Sequence, residues 1–158
     1  FVLAEHPEAV SVKSWYDEAH VREVYYPSVK ALVKRLMPQA VRVLPLNHIA
    51  RNEGDGKRLG PHHLVHNDYT EKFVDRISAM EPLKKFQDQL RRHRVVMLNL
   101  WRPTKPGPLR RNPLALCDTR SIAKSDLVPT LLKDYGTDAN PLANLNLEVF
   151  TSKNNDKH

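Results

Sequence analysis

The sequence predicts an α+β fold, and three observations predict it. Val29, Leu32, Val33 and Leu36 recur at i, i+3, i+4 and i+7, the spacing of one face of a helix. Val95-Val96-Met97-Leu98-Asn99-Leu100-Trp101 is almost continuously apolar, as a strand buried on both faces reads. Shorter extended stretches bounded by Pro, Gly and Asn lie on either side of these two. A chain of 158 residues is one domain's worth and can bury a proper core. The expected layout is a single domain over 1–158, with a helical lead-in at 14–37, strands across 40–150 and helices inserted at 70–92.

Composition excludes several classes. Hydrophobic content of 41% and charged content of 27% are ordinary for a globular domain. No apolar run approaches the ~20 residues of a membrane span, and no secretory leader is visible, so a membrane partner is not expected. The first residue is Phe1 rather than Met, so the natural start is expected upstream. The single cysteine, Cys117, excludes an internal disulfide and a cysteine-rich zinc site, and it suits a reducing, cytoplasmic compartment. Five Gly against twelve Pro indicate stiffened loops.

Taken in order, the chain opens with an uninformative lead-in to Lys13. Ser14 is a candidate helix cap, with Asp17 and Glu18 in the first turn and Val21, Val24 and Tyr25 continuing at helical spacing. Pro27 breaks or restarts that helix, and the Val29–Leu36 stripe follows as core, with Lys30, Lys34 and Arg35 on solvated faces. Val41 to Ile49 alternates like a half-buried strand, placed at an edge by Pro45. Arg51 stands at the mouth of Asn52 to Gly60, which holds three of the five glycines and reads as a mobile loop. Leu64 to Thr70 is extended. Thr70 caps a helix running to about Met80, and Glu81-Pro82 restarts another through Leu83, Phe86 and Leu90. That helix ends in Arg91-Arg92-His93-Arg94, where cations complement the helix C-terminus. Pro103 ends the apolar strand, a Pro/Gly/Arg loop runs to Asn112, and Pro113 to Asp118 is another short strand. Strands near Leu127-Val128 and over Leu147–Phe150 flank a short Leu131–Tyr135 segment and the loop Asn140 to Asn146. No internal repeat is present.

Charge is uneven. Residues 81–111 hold nine Lys/Arg against two acids, an excess that equals the net +7 of the whole chain. A basic segment of this kind is a candidate phosphate footprint. It lacks interleaved aromatics and centres on a stretch that reads as buried, so nucleic acid is disfavoured as a partner. A pocket for a small carboxylate fits better, because arginine forks match carboxylates.

His66 and Asp68 carry the sharpest chemistry. Side chains at i and i+2 of a strand share a face. An imidazole nitrogen and a carboxylate oxygen side by side supply two of the three ligands of a facial non-haem Fe(II) site. The spacing alone is weak in a chain with eight His, and the bland alternative is a hydrogen-bonded pair at the end of an edge strand. His62 and His63 are adjacent and so face opposite ways in an extended chain, which lets at most one join His66.

His66-Asn67-Asp68, then Asn99-Leu100-Trp101-Arg102-Pro103, then Pro113-Leu114-Ala115-Leu116-Cys117-Asp118 occur in this order and at these separations. Together they resemble the family that includes the cephamycin methoxylase small component and the fungal aspergillic-acid-type hydroxylases. Tyr25-Tyr26-Pro27 and the Val41–Arg51 stretch look like that family too, and the resemblance covers roughly residues 24–153. It implies a double-stranded β-helix (jelly-roll, cupin-like) core with flanking helices. It also implies an oxygenase of hydroxylase or desaturase type that uses Fe(II) and 2-oxoglutarate to tailor a small-molecule natural product. By that resemblance His66 and Asp68 are metal ligands, and Arg51, Asn99 and Arg102 are candidates for contacts to co-substrate or substrate. For these last three the alternative is structural: Arg102 tying the following loop to the sheet, and Asn99 satisfying backbone groups. Cys117 and Asp118 read as core and turn residues.

The sequence departs from the family's pattern near its end. Asn140 to Asn146 passes straight to Leu147-Glu148-Val149-Phe150 without the family's aromatic-rich segment. The family's third ligand, a His, and the Arg for the distal carboxylate of 2-oxoglutarate are expected beyond Thr151-Ser152-Lys153, so the jelly-roll is expected to be incomplete at the C-terminus. His158 does not match the position of that ligand. Two further readings stand beside the oxygenase: a non-catalytic jelly-roll scaffold or partner subunit, and a basic nucleic-acid-binding module. A homo-oligomer is compatible with all three.

Overall fold

The structure, a computed structural model, describes residues 1–6, 11–54, 60–61, 66–67, 69, 78, 81, 83–132 and 147–152. The chain divides into two compact units, Phe1–Gly60 and Pro61–His158.

The first unit is built on a helical run over 18–36. It consists of α1 (Glu18–His20), a π-helical turn (Val21–Tyr25) and α2 (Tyr26–Leu36). Asp17 rather than Ser14 is the cap: its Oδ1 accepts from the His20 backbone N–H at 3.0 Å. A carboxylate forms the stronger, charge-assisted bond with the exposed N–H groups of a first turn. Ser14 instead makes the turn before the helix, with Oγ accepting from the Tyr16 N–H at 3.3 Å.

Pro27 restarts the α-helix, one of its two expected roles, and the π-turn before it explains how. Proline has no N–H and its ring crowds the carbonyl four residues back. The Tyr26 N–H bonds to the Val21 carbonyl, five residues back, so the turn ahead of the ring is widened. Pro27 then sits in the first turn of α2, where its missing donor costs least.

Val29, Leu32 and Val33 are buried as the stripe predicts, together with Val21 and Tyr26. Leu36 is half exposed because the helix ends on it. Two cations expected to be merely solvated do more. Lys34 donates through Nζ to the carbonyls of Ala40 and Val41, and Arg35 donates through Nη2 to the Glu5 carbonyl at 2.6 Å. Val41 to Ile49 is not a strand. It has no ladder partner among the described residues, and Pro45 removes one donor. Its ties to α2 run through side chains, Lys34 at one end and His48, described below, at the other.

The second unit contains a three-stranded antiparallel sheet of β1 (His66–Asn67), β2 (Leu127–Leu132) and β3 (Leu147–Ser152), in the order β1-β3-β2. β3 is central, pairing His66 with Thr151 on one side and Val128 with Thr151 on the other. β2 is an edge strand and holds Pro129, which suits a residue that cannot donate to a second neighbour. The predicted strands at 127–128 and 147–150 are thus present and longer. The Leu131–Tyr135 segment contributes Leu131 and Leu132 to β2, and its remainder, like Asn140 to Asn146, lies outside the described residues.

The helix expected from Thr70 to Met80 lies outside the described residues except Ser78, which is helical. The next one is a 3₁₀ turn (Lys84–Phe86) leading into α3 (Gln87–Arg92), and Leu83 just before it is buried. Gln87 reaches back through Nε2 to the Ser78 carbonyl at 3.2 Å.

The clearest correction concerns Val95 to Trp101. This stretch forms no ladder with another described segment, and much of it faces water. Val95 and Met97 are half-buried, while Val96, Leu98, Leu100 and Trp101 are between 44% and 50% exposed. Pro113 to Asp118 is likewise irregular, with Leu114 and Leu116 exposed. Apolar composition reports that a stretch gains from burial; it does not supply the neighbouring strand. The intervening loop turns at Gly107 (φ 85°) and Asn112 (φ 46°), the two residue types that adopt the left-handed region at least cost.

Candidate metal-ligand segment

His66 sits on β1 in extended backbone, register partner of Thr151 on β3, with its imidazole half-buried. Asp68 lies outside the described residues, as do His62, His63 and His158. The backbone on both sides of position 68 is held. Before it, His66 and Asn67 are paired to β3. After it, the Tyr69 N–H donates to Asn67 Oδ1 at 3.0 Å. The Tyr69 hydroxyl then donates to Asn99 Oδ1 at 2.5 Å.

That last bond joins residues 30 positions apart and brings together the His66 segment and the Asn99-Leu100-Trp101-Arg102-Pro103 segment. Asn99 therefore has its side-chain oxygen engaged by the Tyr69 hydroxyl. Arg102 is exposed, three residues further on. Arg51 belongs to the first unit. Its Nη1 donates to the Gly60 carbonyl at 2.8 Å, closing the neck of the glycine-rich loop, and within that loop the Gly54 N–H donates to Asn52 Oδ1 at 3.0 Å. Residues 55–59 of the loop lie outside the described residues. Among the described residues no three His, Cys, Asp or Glu side chains converge on one point.

Cys117 is half-buried, and Asp118 is a turn residue as expected. Its Oδ1 caps the 3₁₀ turn Thr119–Ser121 by accepting from the Arg120 N–H at 3.0 Å. The Arg120 guanidinium closes on the same carboxylate, with Nη2 to Oδ2 at 2.6 Å, and holds the Asp118 carboxyl below the usual carboxylate range. The side-chain bond contributes most to that shift and the backbone bond next.

A second polar cluster, one that the sequence does not announce, lies in the first unit. The Tyr26 hydroxyl and His48 Nδ1 are 3.2 Å apart, with the two rings edge to face. The Arg22 guanidinium lies over the Tyr26 ring, 5.3 Å from its centroid, and pairs with Glu18 at 2.6 Å. Burial pushes the Tyr26 phenol above its ordinary value, and Arg22 partly offsets the shift. The only sequence signal for this cluster is the Glu18, Arg22, Tyr26 spacing of four along a helix.

A family model described as an oxidoreductase/YMDC permease-like domain matches residues 1–158. The chain belongs to this oxidoreductase-like family. No helix among the described residues is long and apolar enough to cross a membrane. The chain is also similar to the hydroxylase/desaturase efuI of Hormonema carpetanum, 33% identical over 135 aligned residues. That match covers 75% of this chain and 44% of the relative, so the chain spans less than half the length of the curated relative it matches. No solved structure matches the chain.

Proposed function

We propose that the chain is part of an Fe(II)- and 2-oxoglutarate-dependent oxygenase, of hydroxylase or desaturase type, that tailors a small-molecule natural product. The observation that carries this reading is the tether between the His66 segment and the Asn99–Pro103 segment, the two parts of the sequence on which the family resemblance rests. A relative named as a hydroxylase/desaturase supports the same class. The donor set fits the metal: one imidazole nitrogen and one carboxylate oxygen, with no thiolate in the set, suit Fe(II) and leave coordination positions open. The described backbone at His66 and Asn67 is extended and paired to β3.

In this reading His66 and Asp68 hold the metal, and a jelly-roll surrounds it. Bound there, Fe(II) with 2-oxoglutarate supplies the activation of oxygen needed to oxidise a C–H bond. The protein's own residues orient and shield. The pairing of β1 to β3 fixes the backbone that carries the imidazole, and the bond from the Tyr69 N–H to Asn67 Oδ1 holds Tyr69 to that strand's end. Arg102, a fork on an exposed segment, is our candidate for the carboxylate of substrate or co-substrate.

The experiment is 2-oxoglutarate consumption by the longest natural form of the protein. The expected result is turnover that requires Fe(II) and is lost in His66→Ala. Turnover that survives this substitution removes the assignment.

The basic segment gives no equal reading. Arg91, Arg92, Arg94, Arg102, Arg110 and Arg111 are all exposed, so the argument against nucleic acid from a buried strand does not hold. The second argument does: only Phe86 and Trp101 interrupt 81–111 as aromatics, too few for base stacking along the segment.

A further inference from the structure

We propose that residues 91–116 form a docking surface for an anionic lipid bilayer, with arginines at the headgroups and Leu100, Trp101 and neighbouring apolar side chains in the interface. The proposal is independent of the metal-ligand reading. It starts from exposed positive charge. All nine Lys/Arg of residues 81–111 are exposed, against two acids. Among the described residues, Arg91, Arg92, Arg94, Lys105 and Arg110 make no ion pair.

Apolar side chains are interleaved with these cations. Arg91, Arg92 and Arg94 run directly into Val95–Trp101, where burial alternates: Val95 and Met97 are half-buried, while Val96, Leu98 and Leu100 are exposed. The stretch therefore turns one set of apolar side chains to the protein and another to water. Trp101 is exposed beside Arg102, and Leu109, Leu114 and Leu116 are exposed around Arg110. Apolar exposure on this scale marks an interaction surface.

The two features together select the occupant. Nucleic acid would use the cations and leave the leucines in water. A second copy of the chain would cover the leucines and bring like charges together. A protein partner would need a matching shape as well as acids, whereas a fluid interface adapts to an irregular chain. An anionic bilayer uses both features: its surface potential attracts Lys and Arg, and Trp and Leu enter the headgroup region. The irregular backbone suits that depth, where water and headgroups still satisfy peptide groups. No spanning helix is required.

The test is cosedimentation of the longest natural form of the protein with vesicles of equal parts phosphatidylserine and phosphatidylcholine, and with vesicles of phosphatidylcholine alone. Binding is expected to the anionic vesicles, weakening with salt, and at least about tenfold weaker to the neutral ones. Each cation near the surface is worth roughly fivefold, so Arg91→Gln/Arg92→Gln/Arg94→Gln should bind on the order of 100-fold more weakly. Leu100→Ala/Trp101→Ala keeps every charge and should still lose at least about tenfold. With bromine-labelled acyl chains, tryptophan quenching should be larger in wild type than in Trp101→Phe.

Failure to bind the anionic vesicles overturns the proposal. So does wild-type affinity in Leu100→Ala/Trp101→Ala, or quenching unchanged in Trp101→Phe, since either means adsorption by charge alone. Binding to duplex DNA or polyglutamate at least as tight as to anionic vesicles, at equal concentration of negative charge, overturns it in favour of nucleic acid or an acidic protein. The substituted side chains are all exposed, and far-UV circular dichroism checks that each variant stays folded.

Discussion

Tyr26 offers a direct measure of what holds the Val41–Ile49 segment to α2. Its side chain is 7% exposed, and its hydroxyl meets His48 Nδ1 at 3.2 Å. In Tyr26→Phe the ring remains and one hydrogen bond goes, which typically costs about 0.5–1.5 kcal/mol. His48 is half-buried, so water can satisfy the freed nitrogen, and we expect about 1 kcal/mol or less. In Tyr26→Ala the buried ring goes too, together with the face under Arg22, and the cost should reach about 3–5 kcal/mol. The assay is urea unfolding followed by tryptophan emission in a Trp101→Phe background. The remaining reporter, Trp15, is stacked edge to face on Tyr25 in the same unit. A Tyr26→Phe variant as unstable as Tyr26→Ala would refute the reasoning that ring burial outweighs the hydroxyl bond.

The same pair predicts a pH dependence. Burial raises the phenol's pKa, so above about pH 10 the unfolded chain releases a proton that the folded chain keeps. Wild-type stability from this group is fully present below the ordinary tyrosine value and falls as pH rises from there toward the folded value. The advantage of wild type over Tyr26→Phe should therefore shrink above about pH 10; an advantage that grows there contradicts the sign.

Further outcomes follow from burial and charge elsewhere. Leu98→Lys, on the exposed side of the Val95–Trp101 segment, should change stability by no more than about 0.5 kcal/mol, whereas Leu32→Ala in α2 should cost about 2–5 kcal/mol. Equal losses in urea midpoints would restore the doubly buried strand. The Asp118 carboxyl should titrate below the ordinary aspartate value by NMR and move up in Arg120→Gln. Protection of the Thr119–Ser121 turn should accordingly be present above the unfolded carboxyl value and fade as pH falls through the lower, folded one. An Asp118 midpoint indifferent to Arg120→Gln would assign the shift to the backbone bond alone.

Local periodicity is readable in this sequence, and contact partners are not. The stripe of Val29, Leu32 and Val33, the strands around Leu127 and Leu147, and the turn role of Asp118 are all legible from short stretches of sequence, and all are present. The cap lies three residues from its expected place, because Ser14 and Asp17 are both good acceptors and only geometry decides between them. Pro27 reads as a break or a restart, and it is a restart; nothing in the sequence marks the π-turn that widens ahead of it. The Val95–Trp101 difference is of another kind: its apolar run is real, but whether a strand lies beside it is a long-range fact. The Tyr69–Asn99 bond has the same character. Asn99 stands out by its motif, while Tyr69, which gives Asn99 its place near His66, carries no signal.

The central claim is that His66 and Asp68 bind Fe(II), and anaerobic titration of the chain with Fe(II), with and without 2-oxoglutarate, tests it most directly. The expected result is a weak visible charge-transfer band that requires both components and disappears in Asp68→Ala. A folded chain that gives no band, or a band that persists in Asp68→Ala, contradicts the claim.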